Sequence, residues 1–468
     1  MIDRYIRHFT TLRVIFLLYL AIAISLLGHK PLWLDEIWQQ LGTRNVSFHQ
    51  MVAYARDGAG GALLPHLFQW VVLKVLPYGA AVSRIPALVF GAGSVFLSWC
   101  LARQLRVKHP WVVAVLFMAL PILFRYTLEA RPYSEGVFFC CWGLLLLFEL
   151  DERPTVLRSL GLMVIAAAGL YSQAFVIFEL LVVAVLLSAA RWKKALYLLL
   201  PLVGAVLLYL PWYLSASKQW SNGLSASAGV TVFDAKLPLR VLREYTGGGY
   251  VVGLCFLVLI VLGLRVSGRQ RLKYVLAVGF AGGLLLPLLA EQRLQYFYAA
   301  RHLMFALPAG ALLCALAFET ASGSKTSWKD IGNRSFTVAA QKVALAILLV
   351  ASVVTISVKE IGPHENWRAT AERLAELEME GVCVESVRPD GMAYYRFFVP
   401  SLRDSDCGAG KRKQLVVVKD SYTPESLLRT KSQELTSEGY EEARSETVNQ
   451  FRLVYFLLRG DQAFTNRK

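Results

Sequence analysis

Apolar residues along this chain gather into runs separated by short charged or polar breaks. They lie near 12–28, 84–102, 110–125, 133–150, 156–172, 174–190, 195–213, 248–264, 274–290, 303–319 and 342–358. At 1.5 Å per residue, a run of about 17–19 residues makes roughly 26–29 Å of helix, close to a hydrocarbon core of about 30 Å. The pattern predicts eleven membrane-spanning helices. Between Ser159 and Ala190 no strongly polar break occurs, yet positive clusters flank both ends. A single helix of roughly 48 Å would be too long and would put those clusters on opposite sides, so the segment is expected to fold as a hairpin turning at "LYSQAF", residues 170–175. The first run, Leu12–Leu27, lacks a small-residue cleavage site and reads as a retained span.

Two segments, 46–56 and 64–78, are too short or too polar to span and are expected to lie in the membrane interface, with Trp70 and Tyr78 as anchors. After residue 358 the pattern changes. "WRATAERLAELEMEG" and "PESLLRTKSQELTSEG" have helical periodicity, whereas "QLVVVKD" and "FRLVYFLL" read as strands, so a small α/β domain is expected over 359–468. The fold class is therefore a polytopic α-helical membrane domain, 1–358, including interfacial helices in a first outer loop at 29–83, followed by this domain.

Lys and Arg cluster on alternate loops, which the positive-inside rule assigns to the cytoplasm. Residues 29–83, 126–132, 214–247, 291–302 and the tail are then expected outside. The formal charge of +16 does not indicate nucleic acid. The tail holds 17 basic and 18 acidic residues, leaving 32 basic and 15 acidic in the membrane part, where topology and a phosphate-bearing ligand account for the excess. Of seven cysteines, five sit in apolar runs; Cys383 and Cys407 lie in the tail and could pair in an oxidising compartment.

Three outer segments carry candidate chemistry. "PLWLDEIWQQ", residues 31–40, sets Asp35 and Glu36 among bulky apolar side chains directly after the first span. Solvated interfacial carboxylates are common, so this pair alone says little. However, "FRYTLEARPYSEG", residues 124–136, squeezes Arg125, Glu129, Arg131 and Glu135 between two spans, where an ion pair capping the next helix is the plain alternative to a site. Two acidic loops converging on a cleft would supply a general base or a metal ligand. In "EQRLQYFYAARHLMFALPAG", residues 291–310, Arg293, Arg301 and His302 precede a late span. Snorkelling is one explanation; a guanidinium fork for phosphate at a helix N-terminus is the other. Arg84 likewise opens a span, and Glu179 lies one turn into the membrane, costly unless partnered. His66 stands in no zinc motif.

The order "LWLDE", "SRIPALVFGAGSVFLSWCLARQL", "LEARPY", "LYSQAF", "LYLPWYL" and "ARHLMFALPAGALL" resembles the polytopic C-type glycosyltransferases. The resemblance covers about residues 10–320 and is closest to the branch holding the RgtA/B/C/D-like enzymes, aminoarabinose transferases and protein O-mannosyltransferases. It implies an enzyme of the cytoplasmic membrane that inverts a sugar at its anomeric carbon, with a polyprenyl-phosphate-linked donor and a glycan, lipid or protein hydroxyl as acceptor. Asp35 is then the base with Glu36 beside it, and Glu129, with Asp35, the position that binds a divalent metal in some members. Arg301, with His302, Arg131, Arg84 and Tyr133, is expected to bind donor phosphate. Relatives usually carry His-Pro-Pro before the interfacial helix; here "LLPHLF" keeps Pro65 and displaces His66, so no role carries over to that histidine. The rival classes are a transporter of lipid-linked glycans, which usually shows repeats and midplane breaks not visible here, and a non-catalytic partner.

A cysteine placed at position 35 should react with a membrane-impermeant maleimide applied from the exterior. Labelling only after permeabilisation would reverse the assigned orientation.

Overall fold

The computed structural model describes the chain except residues 1, 59–61, 190–193, 225–235, 267, 295–298, 320–327, 362–364, 389–390, 404–412, 421–422, 449 and 460–468, and except the side chains of 2–11, 218–224, 291–294 and 328–337. Arg293 and Cys407 therefore lie outside what can be described. The chain divides into two compact units. One comprises Met1–Gly28 and Gly42–Ile361, the other His29–Leu41 and Gly362–Lys468. The segment carrying Asp35 and Glu36 thus packs with the tail, whereas the sequence reading kept all of 29–83 with the membrane domain.

Among the described residues of the first unit, five helices are long and apolar enough to cross a membrane: Ile85–Gln104, Tyr133–Glu152, Ala195–Ser217, Gln270–Ala290 and Val338–Glu360. Two bent pairs raise this to seven, and shorter apolar helices occupy Leu12–Leu26, Leu63–Val75, Val156–Ser172, Val176–Ala189 and Ala300–Leu316. Each of the eleven predicted runs coincides with one of these helices or pairs, and the predicted segment 64–78 forms the helix Leu63–Val75. The protein is an integral membrane protein. The hairpin turns as predicted, with Gln173 extended between the two helices and its N–H on the Gly169 carbonyl.

The two breaks have local causes. Pro121 lacks an N–H and forces Leu120 out of helical geometry, to φ −65° and ψ 122°, so Pro110–Ala119 and Pro121–Thr127 meet at 64°. Leu237–Tyr245 and Gly249–Arg265 meet at 90° around a glycine run. Gly247 there has φ +75°, and a Cβ on it would come within 2.6 Å of the Ile122 nitrogen. That nitrogen donates to the carbonyl of neighbouring Thr246, so the two bends are bonded to each other.

At the Glu152 end of the bundle, the basic loops predicted to share one side do so. Arg269 donates to the carbonyls of Leu105 and Arg106 at 2.9 and 2.6 Å and pairs with Glu319, while Arg271 and Lys194 both pair with Asp151. These bonds satisfy carbonyls at helix ends that would otherwise lack partners.

The second unit contains a four-stranded sheet. Its strands are β1 (Cys383–Ser386), β2 (Gln414–Lys419), β3 (Tyr440–Val448) and β4 (Phe451–Leu458), in the order β1-β2-β4-β3. β1 runs parallel to β2; the other pairs are antiparallel. The apolar runs of β2 and β4 are buried on both faces: Leu415, Val417, Val454 and Phe456 pack with Leu428 and Leu435 of the helix Glu425–Ser437. On the other face Phe451 meets Trp367 of the helix Trp367–Met379 edge-on at 4.8 Å. Both predicted strands and both helices are present. β3 was not predicted because "YEEARSETV" is mostly exposed and shows no apolar alternation, as suits an edge strand rich in charge.

Cys383 is disulfide-bonded and the other described cysteines are free. Non-reduced peptide mapping should recover Cys383 linked to Cys407, closing a loop of roughly 25 residues with a stabilisation of about 3 kcal/mol. Alkylation of both thiols without reductant would exclude the link.

Candidate functional site

The first unit opens into a cleft of about 440 Å³ whose wall includes Arg125, Tyr126, Arg243, Glu244, Arg301, Lys359 and Glu360. Four separate segments therefore bring cations to one place. The bend at Leu120–Pro121 carries Arg125 to it. Its Nε donates to Oε1 of Glu129 at 2.6 Å; the Arg125 side chain is 40% exposed and that of Glu129 3%. A carboxylate that far from water requires a counter-ion, and Arg125 supplies one four residues away.

Beyond Glu129 the chain reverses tightly. The Arg131 N–H reaches the Glu129 carbonyl at 2.7 Å, and the Ser134 hydroxyl closes the turn on the Tyr126 carbonyl at 2.7 Å. Pro132 then starts the helix Tyr133–Glu152. The Tyr126 and Tyr133 rings meet edge-on at 4.6 Å. Arg301 arrives from the 3-10 segment Ala300–Ala306 and donates from Nε to the Tyr133 hydroxyl at 2.8 Å. The His302 ring lies 5.8 Å from the Tyr133 ring, and the Arg131 guanidinium sits over Tyr133 at 5.8 Å. The third wall comes from "LREYTGGG" and the end of the last long helix: Arg243 pairs with Glu244 at 2.5 Å, and the Lys359 ammonium donates to the Gly247 carbonyl at 2.7 Å.

The residues singled out in the sequence thus separate into groups. Glu129, Arg131, Tyr133, Arg301 and His302 come together in one place, with Arg301 on the cleft wall. Arg84 does not line the cleft; it is 1% exposed and donates to the Leu27 carbonyl at 2.8 Å, holding the end of the first helix. Asp35 and Glu36 belong to the second unit, on the short helix Leu34–Leu41. Glu36 is fully buried and accepts from the Trp33 N–H at 3.4 Å, a reciprocal cap across the helix start. Asp35 stays partly exposed. Glu179 is sealed inside the bundle, accepts from the Cys140 thiol at 3.6 Å and does not line this cleft.

Comparison with known structures bears on the same architecture. ArnT of Cupriavidus metallidurans in the apo state superposes with a TM-score of 0.56 at 11% identity, over 94% of this chain and 97% of that one. ArnT bound to undecaprenyl phosphate gives 0.55 at 12% identity with the same coverage. The chain has the same fold as ArnT. The archaeal oligosaccharyltransferase AglB of Archaeoglobus fulgidus, in complex with an inhibitory peptide and a dolichol-phosphate, is a more distant likeness, with a TM-score of 0.46 at 10% identity over 85% of this chain and 61% of that one. No family model and no curated protein matches the sequence.

Within this fold, the sequence reading missed Arg243, Glu244, Lys359 and Glu360. A signal existed: the charged pair Arg243-Glu244 before a glycine run, and "VKEIG" closing the last apolar run. Neither loop, read alone, shows what faces it. The metal expected at Glu129 does not fit the residues present. One oxygen of Glu129 is committed to Arg125, and among the described residues no three His, Cys, Asp or Glu side chains converge.

His66 has a structural place. Its helix, Leu63–Val75, is too short to span. The ring is 4% exposed with Nδ1 2.7 Å from the Ala62 carbonyl, and burial pushes its pKa down to about 4. The fold therefore favours neutral imidazole. That contribution is complete above the unfolded value near 6.5 and is lost as pH falls towards 4. The thermal midpoint should drop over this window, and His66→Gln should flatten the drop. An unchanged acid slope in the variant would show that His66 is not the group responsible.

Proposed function

We propose that the protein is an inverting glycosyltransferase that moves a sugar from a polyprenyl phosphate to an acceptor hydroxyl at the outer face of the cytoplasmic membrane. The observation that carries this reading is the convergence of Arg125, Arg243, Arg301 and Lys359 on one cleft among apolar helices. A ligand suited to such a place has an anionic head and an apolar tail. ArnT with undecaprenyl phosphate, a protein of the same fold, supports the choice of a phosphate carrier. The disulfide at Cys383 supports an oxidising location for the second unit.

In the proposed reaction the acceptor oxygen attacks the anomeric carbon from the face opposite the phosphate. Its proton passes to the Asp35 carboxylate, the new C–O bond forms, and the bond to the phosphate oxygen breaks with its electron pair. The lipid phosphate leaves with added negative charge. Fixed cations aimed at that oxygen act more strongly in the transition state than in the ground state. Arg301 is assigned the phosphate, with Arg125 and Lys359 supporting it. Glu36 is assigned to hold the start of the Asp35 helix. The sugar and the acceptor class, whether glycan, lipid or protein, are left to the experiment.

Asp35→Asn should reduce kcat about 10²- to 10⁴-fold while donor affinity stays near wild type; full turnover would remove the base. Arg301→Ala should raise the donor KM at least about tenfold, and unchanged donor kinetics would refute the clamp. Mass analysis of surface glycolipids from cells lacking the gene would identify the sugar and its attachment point.

A further inference from the structure

Arg301 and His302 sit on seven residues of 3-10 backbone, Ala300–Ala306, whose first residues follow extended Ala299. Such a segment has weaker internal bonding than an α-helix, and something outside it has to fix where Arg301 points. Two contacts do so. On one side the Tyr133 hydroxyl receives the Arg301 Nε at 2.8 Å, and Tyr133 itself is only 2% exposed at the start of a long helix. On the other side the Gln173 carboxamide, from the turn of the hairpin, donates through Nε2 to the His302 carbonyl at 2.9 Å. Gln173 is 8% exposed, and its Oε1 lies over Gly136, where an added Cβ would come within 2.2 Å. Gly136 belongs to the same helix as Tyr133, three residues on. The Phe175 ring, two residues after Gln173, lies 5.9 Å from the His302 ring.

We propose that Gln173, seated on Gly136, and Tyr133 are positioning residues that clamp the Ala300–Ala306 segment from both sides and so set the guanidinium of Arg301 for the donor phosphate. Neither is a catalytic residue: neither lines the cleft, and each acts through Arg301. The turn "LYSQAF" then has a function beyond reversing the chain. Its one amide side chain reaches across to a segment 129 residues away and ties the hairpin to the donor site. The inference rests on the reading of Arg301 as a donor clamp, and the test separates the two.

Gln173→Leu, Gly136→Ala and Tyr133→Phe are compared with wild type in detergent, each also combined with Arg301→Ala. Hydrogen exchange at the amides of 300–306 reads the clamp; affinity for undecaprenyl phosphate reads its consequence. Gln173→Leu and Gly136→Ala should speed exchange at 300–306 and leave the Tyr133–Glu152 helix protected. Each should weaken undecaprenyl phosphate about three- to tenfold in the wild-type background and have no further effect once Arg301 is Ala. Tyr133→Phe, which keeps the ring and removes only the hydroxyl, should weaken binding by a similar factor with the same dependence on Arg301, and it serves as the variant least able to disturb folding. Unchanged exchange at 300–306 in Gln173→Leu, or equal weakening with and without Arg301, would overturn the positioning role. Wild-type affinity in Arg301→Ala with altered exchange in Gln173→Leu would instead leave the clamp standing and overturn the donor-phosphate reading.

Discussion

The cleft depends on one ion pair that cannot be dispensed with. Glu129 is almost removed from water, and a buried carboxylate costs several kcal/mol unless a cation and hydrogen bonds match it. Arg125 provides the match at 2.6 Å while its side chain stays 40% exposed. The pair therefore runs from the protein interior to the cleft wall. It anchors one cation there, and it leaves the lining, with Arg243, Arg301 and Lys359 against Glu244 and Glu360, in net positive charge.

Keeping such a site among apolar helices requires irregular backbone, and irregular backbone in a membrane protein is tolerated only where it lines a cavity or is satisfied by its neighbours. Among the described residues, departures from helix around the cleft include the bend at Leu120–Pro121, the glycine run Gly247–Gly249, and the 3-10 turn carrying Arg301. Each has a bond that closes it. Ile122 donates to the Thr246 carbonyl, Lys359 donates to the Gly247 carbonyl, and Gln173 donates to the His302 carbonyl. The breaks that open the cleft are thus the places where its charged and amide side chains are put to use. Polar groups freed by one break become the acceptors that position the next.

The second unit follows ordinary soluble rules. Its two central strands are apolar on both faces because helices cover both, its edge strand β3 is dense in charge, and Trp367, Tyr395 and Phe451 fill the core on one side. The unit also holds the helix Leu34–Leu41, on which Asp35 remains partly exposed while Glu36 caps the helix start. Adjacent carboxylates in the sequence therefore occupy different surroundings: one is bound to backbone and fully buried, the other is partly exposed.

By itself the sequence determined the placement of the apolar helices, the hairpin at residues 170–175, the strands "QLVVVKD" and "FRLVYFLL", and the choice of Glu129, Arg131, Tyr133 and Arg301 as polar residues of interest. These are properties of periodicity, run length and local charge, which short windows record. Tertiary structure decided what each charge faces. It gave Arg84 to a helix end, Glu179 to a thiol inside the bundle, and Glu129 to Arg125 in place of a metal. It also added Arg243 and Lys359 to the cleft from segments far away in the chain and joined residues 29–41 to the tail. The reason is physical: a charge declares its role through the partner that neutralises it, and those partners arrive from segments that only the packed bundle brings together.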